Sequence, residues 1–140
     1  MATDVNIYNI FIGHNWEHNE HIHKITEQLD RMNDIDRQFD YLNQADYKKP
    51  GYEKLSPEDL RIAYREQIEN SDVVLLLTDM FEDAEEWMEY ALDCAKDLDI
   101  PVLVIRSFNN KQVPARLAEN ADDVVFYFTE EVMKAIKSYV

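Results

Sequence analysis

Glycine is almost missing from this chain. Gly13 and Gly51 are the only two in 140 residues. Neither a P-loop nor a G-x-G-x-x-G turn can therefore be built, since both use several glycines to bring backbone amides against phosphate. None of the four serines sits in a G-x-S-x-G nucleophile elbow. The single cysteine, Cys94, excludes an internal disulfide and fits a reducing cytoplasm. Basic residues are scarce as well: 14 Lys and Arg face 29 Asp and Glu, a net charge of −15. That balance argues against wrapping nucleic acid or lying on anionic lipid, because both need basic patches. No apolar run approaches the ~20 residues of a membrane span. The opening MATDVNIYN lacks the basic-then-apolar order of a signal peptide. The expectation is a cytoplasmic protein with neither a membrane nor a nucleic-acid partner.

What is present is a core. Hydrophobic residues make up 46% of the chain, too many for a disordered polymer. A length of 140 residues suits one domain spanning residues 1–140. Val5–Gly13, Asp72–Asp79, Pro101–Arg106 and Asp123–Phe128 have the near-continuous apolar character of strands covered on both faces. Phe39–Asn43 is a weaker fifth strand, nearer an edge.

Helical patterns separate the strands. Ile22, Ile25, Leu29 and Met32 form one inward stripe. Ser56, Pro57 and Asp59 open a second helix with a cap and a capping box, and Leu60, Tyr64 and Ile68 follow on its inner face. A third helix runs over Glu82–Asp99, and a last one after Thr129 points Val132, Ile136 and Tyr139 inward. A short turn of helix is expected at Val113–Ala118. Such alternation predicts a flavodoxin-like α/β fold of three layers, with a five-stranded parallel sheet in the order 2-1-3-4-5.

In such a sheet ligands bind beyond the carboxyl ends of the strands, where the strand order reverses. That directs attention to Gly13–Trp16 after the first strand and Asp79–Asp83 after the third. Asn43–Leu55 is the longest irregular stretch, and long loops in compact domains are often functional. His14, His18, His21 and His23 cluster, but no second ligand motif accompanies them, so surface or loop histidines are expected rather than a metal site. His14, at the end of the first strand, faces the expected cleft. Asp79 stands where a phosphoaccepting receiver domain carries its aspartate. However, Gly13-His14-Asn15 replaces the acidic pair such a domain needs, and Arg106 stands where it needs lysine. Nor does the loop after the first strand have the Ser, Thr and Gly content of an FMN-binding flavodoxin.

Five stretches taken in order resemble the TIR-like domains of bacteria and archaea, including the TIR proteins of Thoeris antiphage systems. They are YNIFIGHNW, FDYLN, the run from Ala63 to Ile105, ENADDVVFYF and VMKAIKS. The resemblance implies cleavage of the nicotinamide–ribose bond of NAD+ as substrate, with no metal. It implies an ADP-ribose-type signalling nucleotide, a downstream effector reached by that signal, a phage-derived trigger and assembly into homo-oligomers. By the same resemblance, the catalytic glutamate lies four residues after the helix tryptophan. Trp87 matches that tryptophan, and Ala91 occupies the glutamate's place. Each helical residue turns the chain by about 100°, so no neighbouring carboxylate substitutes at that spot. This chain is then expected to be an inactive form; the alternatives are a non-catalytic TIR module that binds a nucleotide or self-associates, and a receiver-like phosphosignalling domain. Phe11, Gly13, His14, Asn15, Trp16, Tyr41, Asn43, Met80 and Trp87 would line the nucleotide site. Gly13, standing where many relatives have serine, would leave room beside the backbone.

Overall fold

The computed structural model describes residues 5–107 and 112–140. The first four residues, part of the stretch read for a targeting signal, lie outside them. Strands β1 (Asn6–Ile12), β2 (Phe39–Asn43), β3 (Val73–Leu77), β4 (Val102–Arg106) and β5 (Asp123–Phe126) form one sheet. Its order is β2-β1-β3-β4-β5, and every pairing is parallel. Helices α1 (Glu20–Ile35), α2 (Pro57–Glu69), α3 (Phe81–Leu98), α4 (Ala115–Asn120) and α5 (Thr129–Tyr139) connect and flank the strands. Right-handed crossovers put α1 and α5 together on one face, with α2, α3 and α4 on the other. The flavodoxin-like order expected from the alternation is the observed one.

Each element follows from its residues. All five residues of β3 are buried, as a central strand between two helical layers requires. The stripe Ile22, Ile25, Leu29 and Met32 is fully inside, packed under α1. In α2, Ser56 accepts a hydrogen bond from the amide of Asp59 at 3.2 Å, with Pro57 at the first helical position. α3 ends where Asp99 takes the left-handed conformation (φ 60°) and its amide bonds back to Ala95 and Lys96.

Four expectations need correction. β3 stops at Leu77, because Thr78–Met80 tightens into a 3-10 turn that leads directly into α3. α4 begins two residues later than predicted, since the Pro114 carbonyl accepts its first bonds, from Leu117 and Ala118. β5 is an edge strand with no residue fully buried, and Val124 and Val125, on opposite faces, are each only partly covered. Tyr139 does not point inward but remains 39% exposed, while Met133 and Ala135 join Val132 and Ile136 in the core.

Candidate functional site

The carboxyl ends of the strands carry two adjoining groups of side chains, one on each side of the loop that follows β1. The first is an aromatic wall. His14 is fully buried, and its partners fix the ring's state. Nδ1 accepts the Trp16 amide at 3.1 Å, so the proton sits on Nε2, which donates to Gln67 Oε1 at 3.1 Å. Gln67 in turn donates to the Asp46 carbonyl at 2.7 Å, tying β1 to α2 and to the loop after β2. Burial pushes the His14 pKa down to about 4. The imidazole is therefore a neutral strut at physiological pH, with both nitrogens engaged inside the protein.

Around it stand Trp16, Tyr47, Tyr52, Tyr64, Trp87 and Tyr90. Trp16 meets Tyr52 edge-on at 4.9 Å and Trp87 at 5.8 Å, and Tyr64 lies 4.8 Å from Trp87. Trp16 has φ 70°, a backbone region that bulky residues rarely occupy, and its buried indole N–H has no hydrogen-bond partner among the described residues. Strain of this kind persists only where surrounding contacts impose it, and it concentrates at functional sites.

The second group surrounds Asp79. Ser107 Oγ donates to Asp79 Oδ1 at 2.7 Å, and His21 Nδ1 lies 3.7 Å from Oδ2. Tyr127 lies near enough that Asp79, after burial, helps raise its pKa to about 12, so the phenol stays protonated. Its buried hydroxyl and the buried Oε1 of Gln28 lack hydrogen-bond partners among the described residues. The Gln28 amide donates to the Tyr127 carbonyl at 3.4 Å, which places the two together. Segments following β1, β3, β4 and β5 thus converge on one carboxylate. Asn15 ties the loop after β1 to the first turn of α3 by donating to the Asp83 carbonyl at 3.3 Å.

The residues expected to line a site are scattered by comparison. His14, Asn15, Trp16 and Trp87 do come together. Phe11 and Met80 are fully buried, and Phe11 packs edge-on against Tyr64 at 4.9 Å. Leu76 occupies the space beside Gly13: a Cβ there would lie 2.6 Å from Leu76 Cδ2. Tyr41 turns to the opposite face, where its hydroxyl donates to Asp30 at 2.6 Å. Asn43 is exposed and accepts the Ala45 amide. Ala91 is fully buried on the apolar side of α3 with Met88, Leu92 and Ala95.

Sequence reasoning left out Gln67, the convergence on Asp79, and the tyrosines of the long loop. Only the last had a visible signal, in the Asp46–Tyr52 composition. Among the described residues, no group of three or more His, Cys, Asp or Glu side chains is placed to hold a metal ion. No helix among them is long and apolar enough to cross a membrane.

No protein-family model matches the chain, and no curated protein is detectably similar in sequence. Solved structures do resemble it. A conserved protein from Enterococcus faecalis V583 superposes with a TM-score of 0.61 at 13% identity, over 96% of this chain and 100% of its own. A 2-deoxyribosyltransferase from Bacillus psychrosaccharolyticus gives 0.61 at 14% identity, over 89% of each chain. A CMP N-glycosidase from Clostridium botulinum gives 0.50 at 7%, over 94% of this chain and 99% of its own.

At these identities the likeness establishes the fold. It also overturns the resemblance to TIR domains and, with it, the Thoeris assignment and NAD+ cleavage to an immune signal. The alternative of a non-catalytic TIR module falls with them, and the receiver-like alternative gains no support. The effector, the phage-derived trigger and the reading of Ala91 as a vacated catalytic position rested on the same resemblance. The motifs behind it were short and loose, and their order follows the strand–helix alternation that many α/β proteins of unrelated chemistry share.

Proposed function

We propose that this protein, acting as a single domain, binds a nucleoside or nucleotide and cleaves or transfers it at its N-glycosidic bond, with Asp79 as the central carboxylate. The observation that carries this reading is the meeting of His21 and Ser107 on Asp79 at the edge where ligands bind in open parallel sheets. The similarity in fold to a 2-deoxyribosyltransferase and to a CMP N-glycosidase supports it.

The chemistry suits those groups. As the C1′–N bond breaks, positive charge develops on the sugar and electrons pass to the base. A carboxylate beside C1′ stabilises the oxocarbenium-like centre. Ser107 fixes one carboxylate oxygen and His21 lies 3.7 Å from the other, with its imidazole placed to deliver a proton to the departing base. Water, or a second base, then forms the new bond at C1′. Trp16 and Trp87 supply aromatic surface against which a base stacks. NAD+, whose nicotinamide–ribose link is also N-glycosidic, belongs to the same wide substrate class. A cytoplasmic setting fits a chain whose only cysteine is buried and free.

The test is a panel of ribo- and deoxyribonucleosides, their 5′-monophosphates and NAD+, incubated with the protein and followed for free base by chromatography and mass spectrometry. Release from at least one member supports the reading. A silent panel rejects it.

A further inference from the structure

Beside the aromatic wall lies a hollow of 180 Å³ lined by Trp16, Tyr47, Lys48, Lys49, Tyr52, Glu53 and Leu60, so that two ammonium groups face it against one carboxylate. Ligand pockets generally need about 300 Å³ or more, so this hollow accommodates one end of a molecule. Its charge is unusual for this chain. The whole protein carries −15, yet the stretch 44–55 holds Lys48, Lys49 and Lys54 against only Asp46 and Glu53. Three of the 14 basic residues therefore fall within seven positions beside one aromatic hollow.

The backbone presents the first two together. Asp46 Oδ1 accepts the amides of both Lys48 and Lys49, at 3.0 and 3.2 Å, and Gln67 holds the Asp46 carbonyl. Through Gln67 this turn is tied to buried His14, and through Trp16 the hollow adjoins Trp87. Elsewhere the strongly negative field repels an anion, so a local pair of ammonium groups at a fixed turn selects for one.

We propose that Lys48 and Lys49 receive the phosphate of a nucleoside 5′-monophosphate, so that the site takes nucleotides in preference to nucleosides. This rests on the proposed nucleoside-directed function and narrows its substrate class. The ammonium groups meet the phosphate oxygens at the rim, while the tyrosine and tryptophan rings wall the hollow behind them.

Equilibrium binding tests this without turnover, using quenching of tryptophan fluorescence by AMP against adenosine, CMP against cytidine, and inorganic phosphate alone. The unaltered protein is compared with Lys48→Gln/Lys49→Gln, and with Lys54→Gln as a control that changes net charge nearby but does not line the hollow. A monophosphate is expected to bind about tenfold more tightly than its nucleoside. The double substitution should erase that margin and leave nucleoside binding unchanged, while Lys54→Gln keeps it. Equal affinity for monophosphate and nucleoside, equal losses in the two variants, or no binding of any monophosphate overturns the proposal. Base release then separates the two readings. Tight monophosphate binding with no release from any substrate defeats the glycosidic function alone. Equal release from nucleoside and nucleotide, unaffected by the double substitution, defeats the phosphate site alone.

Discussion

Acidification should loosen the protein through one histidine. His14 is fully buried with Nδ1 accepting from Trp16 and Nε2 donating to Gln67, so protonation replaces an accepted hydrogen bond by a clash of two donors. Its pKa falls from 6.5 to about 4 in the folded state, because burial disfavours the charged form. A depressed pKa means that the unfolded chain takes up the proton first. The stabilisation is therefore complete above pH 6.5 and drains away as pH falls toward 4. At about 1.36 kcal/mol per unit, the full difference amounts to about 3 kcal/mol, most of which is lost by pH 4.5.

Carboxylates titrate over part of this range, so the quantity to measure is a double difference. Urea unfolding at pH 7.0 and 4.5 is compared for the unaltered chain and for His14→Gln. The variant is less stable at both pH values, but its drop between them should be smaller by about 2 kcal/mol. Parallel losses in the two proteins would refute the assignment of His14 as a neutral strut, as would an imidazole NMR titration with a midpoint near 6.5.

Other perturbations have equally definite outcomes. Ala91→Glu places a carboxylate at a position with no exposure, and should lower stability by about 3 kcal/mol or more in chemical denaturation. An unchanged midpoint would mean that the position opens to solvent. Gly13→Ala forces a methyl group within 2.6 Å of Leu76 Cδ2 and should cost about 1–2 kcal/mol. Combining it with Leu76→Val should recover part of that loss, and strict additivity would show that the contact is not the cause. Cys94 is buried with its thiol pKa raised by burial, so it should react with a thiol reagent only as fast as the protein unfolds. Rapid labelling under native conditions would contradict its placement.

The fold was legible because the apolar runs and helical stripes repeat at distinct periods. β3 reads VVLLL and is buried throughout, and the α1 stripe matches its buried face residue for residue. Errors fell where local pattern yields to tertiary context. Tyr139 has the correct helical spacing, but it sits at the end of α5 beyond the edge of the core and donates to the Asp122 carbonyl instead. Gly13 read as space for a ligand, because a sequence does not show that Leu76 of the neighbouring strand fills it.

The Asp79 cluster was the least visible. Its members His21, Asp79, Ser107 and Tyr127 are dispersed over 107 positions and meet only because the parallel sheet carries all their segments to one edge. The histidine cluster, by contrast, was conspicuous in sequence and is divided by the fold. His14 is sealed in the core, and His23 pairs with Glu27 on the outside of α1.

Asp79 is the centre of the functional account, so the most direct test is the rate of base release by the unaltered protein and by Asp79→Asn on whichever panel substrate turns over. Asparagine keeps the size and the Ser107 hydrogen bond while removing the charge. The account predicts folded Asp79→Asn with release slowed about a hundredfold or more. Equal rates in the two proteins would place the chemistry elsewhere and contradict the claim.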